Sequence, residues 1–73
     1  MNNREYSVYS KCNNKTEFKI AEKLLDGISS GAINEFNFWE IVSSYKRYVK
    51  AQIALDRWDR VADIVFKYFF GAI

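Results

Sequence analysis

The sequence has no histidine, no proline, one cysteine and three glycines in 73 residues. Each shortage removes a class of reading. Without histidine the usual general base near neutral pH is missing. With Cys12 alone, no intramolecular disulfide can close and a transition-metal site has no ligand set. Lys11 and Lys15 flank Cys12 and favour its thiolate, but no base or oxyanion-hole motif accompanies it, so it reads as an incidental thiol. No glycine-rich phosphate loop is present. No apolar run reaches the about 18 residues of a spanning helix, and no basic stretch leads into an apolar one as a secretory signal does. The expectation is a non-enzymatic chain with no cofactor, no metal and no membrane span. A cytoplasmic location suits the unpaired cysteine. A net charge of +2 is too small to indicate nucleic acid or a membrane by itself.

What is plentiful is apolar surface: 49% of residues are hydrophobic and 18% aromatic, which argues against disorder. Residues 1–73 make one domain. A chain this short buries only about 60% of its unfolded surface, so it needs a staple. With disulfides and metals removed, association with another chain is the staple left over. Asn, Lys, Ile, Tyr and Phe are frequent, as in products of AT-rich genes, and small phage or mobile-element proteins often share that bias.

In chain order, residues 1–14 form an arm, either disordered or a short β-hairpin. In the hairpin version Glu5, Tyr6, Ser7, Val8, Tyr9 and Ser10 make a strand, and Asn13-Asn14 turns it back into residues 16–20. The first helix follows over residues 15–30. Asn14 and Glu17 have capping-box spacing, and Phe18, Ala21, Leu24, Leu25 and Ile28 recur as one stripe. Gly31 is placed to end it in a left-handed cap. Asn34 or Asn37 caps the next helix, and Asn37 with Glu40 repeats the box spacing.

Residues 35–70 carry no proline or glycine and read as one long helix. On a wheel of about 100° per residue, Phe38, Ile41, Val42, Tyr45, Tyr48 and Val49 fall on one flank. Beyond Lys50 the apolar residues Ala51, Ala54, Leu55, Trp58, Val61, Ala62, Val65 and Phe69 fall on the other, a jump of roughly 180°. Either the helix is continuous and packs its two halves on different chains, or it breaks near residues 49–52. The expected fold is mainly α: a small helical hairpin whose long, two-faced C-terminal helix is continuous, with a kink near 50 as the rival. In that hairpin Phe18, Leu24, Leu25 and Ile28 meet Phe38, Ile41, Val42, Tyr45 and Val49.

The second face would then be bare, so Leu55, Trp58, Val61, Ala62, Val65 and Phe69 are the candidate interface, with Trp58 and Phe69 as aromatic anchors. Asp56, Asp59 and Asp63 share a helical face with Arg57, Arg60 and Lys67, which reads as a salt-bridged solvated surface rather than a divalent-ion site. Lys46, Arg47 and Lys50 are a candidate nucleic-acid contact, weakened because the nearby tyrosines lie on the opposite flank of the wheel. Trp58, Phe66, Tyr68, Phe69, Phe70 and Ile73 crowd the C-terminus, as interfacial helices do, but acidic residues line the polar face.

Tyr45-x-x-Tyr48-x-x-Ala51-Gln52, followed by Arg57, Arg60 and Asp63, resembles the C-terminal helix of type III secretion needle subunits. The likeness covers about a third of the chain. It implies a small helical hairpin that polymerises with its long helix buried on several sides. The sequence lacks that family's proline-containing loop and carries two tryptophans unusual for it. The leading expectation is a small protein-binding regulator, an inhibitor or adaptor, whose partner is a target protein or a second copy of itself. A subunit of a helical oligomer or filament is the alternative, and a nucleic-acid-binding regulator the second alternative.

Overall fold

Four helices organise the described residues, 3–71, of this computed structural model: α1 Asn3–Ser10, α2 Lys15–Ser30, α3 Phe38–Lys46 and α4 Gln52–Phe69. No strand occurs among those residues, and the fold is mainly α. Residues 1–2 of the expected arm, and Ile73, lie outside the described residues.

The second helix begins where its capping chemistry requires. The Asn14 side chain accepts the Glu17 N–H at 3.0 Å, and Glu17 Oε1 accepts the Asn13 N–H at 2.8 Å. Its reciprocal bond thus reaches one residue before the cap, a shifted version of the box. At the other end Gly31 takes φ 85°, a conformation only glycine adopts without strain, and donates to the Ile28 carbonyl at 3.2 Å.

The arm is helical where a strand was one expectation. A helix places Val8 and Cys12 on one face, and Val8 is fully buried in the core while Cys12 packs half-buried against it. An eight-residue helix is far below the length that holds in isolation, so tertiary packing rather than propensity decides its conformation. Phe18, expected in the hairpin core, lies outside it at 46% exposure and stacks on Tyr9 with ring centroids 4.9 Å apart.

The larger correction concerns residues 35–70, which are not one helix. α3 ends at Lys46, the chain turns through Tyr48 and Val49 with bonds to the Tyr45 and Lys46 carbonyls at 3.2 and 3.0 Å, and Ala51 is extended. No proline or glycine forces this. Burying each valine of the second half contributes about 1.5–3 kcal/mol. The few helical hydrogen bonds given up are solvated and net only about 0.5–1.5 kcal/mol each. Folding back therefore wins, and both apolar flanks enter one interior. Phe38 meets Phe66 at 5.3 Å and Tyr45 meets Trp58 at 5.3 Å, so α3 and α4 run antiparallel. Lys46 closes the same hairpin through an ion pair with Asp59.

α4 packs on each of the other three helices. Its Trp58, Val61, Ala62 and Val65 join Val8 of α1, Ile20, Ala21, Leu24 and Leu25 of α2, Ile33, and Phe38 and Val42 of α3 in one core. The hairpin is thus α3–α4, with α2 laid mainly against α4 rather than α3. A radius of gyration of 11.5 Å matches the about 11 Å of a single body this long, so no helix stands apart. No helix among the described residues is long and apolar enough to cross a membrane.

Candidate protein-binding surface

The aromatic surface begins in the loop before α3. The Asn34 side-chain oxygen accepts the Phe36 and Asn37 N–H groups at 2.8 and 3.0 Å. Asn37 Oδ1 accepts the Asn34 N–H at 2.7 Å, and its Nδ2 donates to the Ala32 carbonyl at 3.1 Å. The Asn37–Glu40 box does not form; Asn37 makes no side-chain cap bond to α3. Both asparagines instead clamp the loop, and Ile33 anchors it by inserting over Gly27. That clamp settles which aromatic faces in. Phe38 is wholly buried, whereas Phe36 stands 89% exposed and Trp39 43% exposed.

Phe38 is the hub. Trp39 meets it edge-on at 5.0 Å, Phe66 at 5.3 Å and Phe70 at 5.9 Å. Trp39 also lies 5.4 Å from Phe66, and Phe66 lies 5.6 Å from Phe70. Such pairs contribute about 0.5–1.5 kcal/mol each beyond the area they bury. The outer rings are thus held rigid from beneath, with Trp39, Phe66 and Phe70 partly open to solvent. A tryptophan already fixed in place loses little entropy on binding, which is why such residues anchor interfaces. Glu35 and Glu40 are exposed beside this face.

The residues expected to form an interface sit elsewhere. Trp58, Val61, Ala62 and Val65 are buried in the chain's own core, and Leu55 and Phe69 are half-buried. The bend at residues 47–51 supplies internally the cover that a second chain was expected to give. It also interrupts the stretch carrying the needle-subunit resemblance, so the continuous rod behind the filament reading is absent. Of the three cations expected as a nucleic-acid contact, Lys46 is tied to Asp59 while Arg47 and Lys50 are exposed. The wheel placed both tyrosines on the flank away from these cations, and the structure departs from it at Tyr48 alone. Tyr45 turns inward onto Trp58, but Tyr48 is 85% exposed beside Arg47. Among the acidic residues of α4, Asp56 accepts from Gln52 at 3.0 Å and Asp59 from Lys46. No group of three His, Cys, Asp or Glu residues able to hold a metal occurs among the described residues.

On the far side, the buried Glu17 carboxylate accepts from Arg60, whose second guanidinium nitrogen donates to the Lys11 carbonyl at 2.8 Å. This joins α4 to the start of α2 and to the turn after α1. Cys12 lies beside it and donates to the Val8 carbonyl at 3.5 Å. Burial and then Glu17 push its thiol pKa up, with Arg60 opposing, so the flanking lysines do not activate it. Burial, followed by the carboxylates of Glu22, Asp26 and Glu5, likewise raises Tyr9. This region is a structural clasp.

Sequence reasoning did not single out Phe36 and Trp39. Their signal was available: both are aromatics that fall off the first-half stripe of Phe38, Ile41, Val42, Tyr45, Tyr48 and Val49. Compared with known proteins, the chain matches no family model, no curated protein and no solved structure.

Proposed function

We propose that the chain is a small non-enzymatic protein-binding module, an inhibitor or adaptor, that docks on a target protein through Phe36, Trp39, Phe66 and Phe70. The observation that carries the reading is the exposure of Phe36 and Trp39, 89% and 43%, with Trp39 packed edge-on to the buried Phe38 at 5.0 Å and against Phe66 at 5.4 Å. Aromatic-rich patches continuous with a core are typical of interaction sites, and tryptophan leads the residue types that dominate binding energy. The AT-rich bias of the composition supports a phage or mobile-element setting. The raised thiol of Cys12 and the absence of histidine support a non-catalytic role.

Site-specific photo-crosslinking in the producing cell tests this. A crosslinker at Phe36 or Trp39 is expected to trap one discrete heterologous product, and the same group at Glu22, exposed on α2, is not. Equal products at all three positions, or a homodimer only, would overturn the target-protein reading.

A further inference from the structure

The tip joining α3 to α4 concentrates charge in a way the rest of the chain does not. Between Glu40 and Asp56 the sequence holds Lys46, Arg47 and Lys50 and no carboxylate. Elsewhere the remaining eight of the 11 cations face all nine carboxylates, so the whole positive excess of the protein resides in this one stretch. Lys46 is paired with Asp59, but no side-chain hydrogen bond or ion pair engages Arg47 or Lys50 among the described residues. Between and beside those two cations stand Tyr48 and Ile53, 85% and 61% exposed. A single exposed apolar residue needs no explanation. An exposed aromatic between two free cations, with an exposed β-branched residue three positions beyond the second, at the turn of a helical hairpin is a different matter. Carboxylates resume only one turn into α4, at Asp56, behind the tip.

We propose that this tip is a membrane-surface contact: Arg47 and Lys50 engage anionic lipid headgroups while Tyr48 and Ile53 enter the headgroup boundary. The chemistry selects this partner on charge and on the apolar pair together. Lipid phosphates attract cations near the surface, and tyrosine settles at the interface with its ring in the apolar layer and its hydroxyl wet. Ile53 has a role there as an inserted side chain. Against nucleic acid it would have none, since single-strand binding rests on stacking faces and phosphate contacts. α3 and α4 both run away from the tip, so it is free to meet a flat surface while the aromatic face about Trp39, at the opposite end of the hairpin, remains open. The contact does not depend on the target-protein reading above.

Flotation of the full chain with vesicles of phosphatidylcholine, with and without phosphatidylserine, tests the proposal. Binding is expected to the serine-containing vesicles only, and to weaken as salt is raised. Arg47→Ala and Lys50→Ala are each expected to lower the partition coefficient about fivefold. Ile53→Ser should lower it severalfold without altering the salt dependence, and Arg47→Glu with Lys50→Glu should abolish it. All of these side chains are exposed, and circular dichroism confirms that the variants keep their helices. Equal binding to neutral and anionic vesicles overturns the proposal, as does binding that survives charge reversal. So does no binding at low salt. A single-stranded oligonucleotide that binds with steep salt dependence while vesicles stay unbound also overturns it and assigns the tip to nucleic acid.

Discussion

Gly27→Ala is a substitution whose outcome two opposing effects decide. Gly27 lies inside α2, where alanine is favoured over glycine by about 0.8–1.0 kcal/mol. On helix propensity alone the change stabilises. A Cβ at this position, however, would stand 2.4 Å from Ile33 Cδ1 and 2.7 Å from its Cγ1. Ile33 is 4% exposed, and its N–H donates to the Gly27 carbonyl at 3.0 Å, so its backbone is tied to Gly27 and its buried side chain has no open space to move into. Overpacking of this kind costs about 1–3 kcal/mol. The net expectation is destabilisation by about 1 kcal/mol, a fall in Tm of about 4–8 °C for a domain this size. Urea unfolding followed by tryptophan fluorescence gives the free energy directly. The decisive comparison is the same change in an Ile33→Ala background, where the clash is gone and Gly27→Ala should stabilise by the propensity difference. Ile33→Ala alone costs about 2–5 kcal/mol. A chain of this size has only about 4–11 kcal/mol in total. The cycle is therefore run in an osmolyte that favours the folded state. A Gly27→Ala variant that gains stability in both backgrounds, with no coupling between the sites, would refute the close seating of Ile33 that positions the loop carrying Phe36.

Arg60→Met leaves the buried Glu17 carboxylate with the capping Asn13 N–H as its remaining donor among the described residues, and should destabilise by about 1–3 kcal/mol in urea titrations, discounted for the partial exposure of Arg60. Adding Glu17→Gln should recover part of that loss, and an Arg60→Met effect too small to measure would remove the clasp from the account. Cys12 and Tyr9 both titrate above their ordinary values of 9.0 and 10.0 in the folded chain. Their contribution is complete below those values and is lost as pH rises through the raised folded ones, so urea midpoints should fall in alkaline solution. That fall should shrink in Cys12→Ala with Tyr9→Phe, and an unchanged alkaline slope in the double variant would contradict it. Finally, Trp58→Ala should cost about 3–5 kcal/mol of folding stability, whereas Trp39→Ala should leave most of the stability intact and reduce crosslinking to a target; reversed effects would exchange the roles given to the two tryptophans.

The mainly α class and the limits of α2 were readable because they rest on local chemistry. Asn14 and Gly31 mark the ends of α2 with side-chain and backbone bonds to residues within four positions, and its stripe needs no partner to be recognised. α1 was not readable, because its Tyr and Val favour strands and only the pocket for Val8 between α2 and α4 reverses that preference. The bend at residues 47–51 was visible as a reversal of the stripe but not as a bend. Lys50, Ala51 and Gln52 are all acceptable in a helix, so no residue there records the choice.

That choice depends on residues far from the bend. A stripe that changes flank can be covered by a second chain or by the same chain folded back, and the second requires an apolar wall of the right length within reach. α2 is such a wall: Ile20, Ala21, Leu24 and Leu25 span about 7.5 Å of rise, enough to cover the about 6 Å of Val61, Ala62 and Val65, and Val8 closes the remaining side. Once α2 is committed to α4, α3 packs mainly on α4, with Lys23 of α2 lying over its Tyr45 ring at 4.8 Å. Its opposite edge, with Trp39 and the loop residue Phe36, is then left without internal cover. The exposed aromatics are therefore a consequence of how the core was completed, and they lie at the end of the hairpin where no helix remains to cover them.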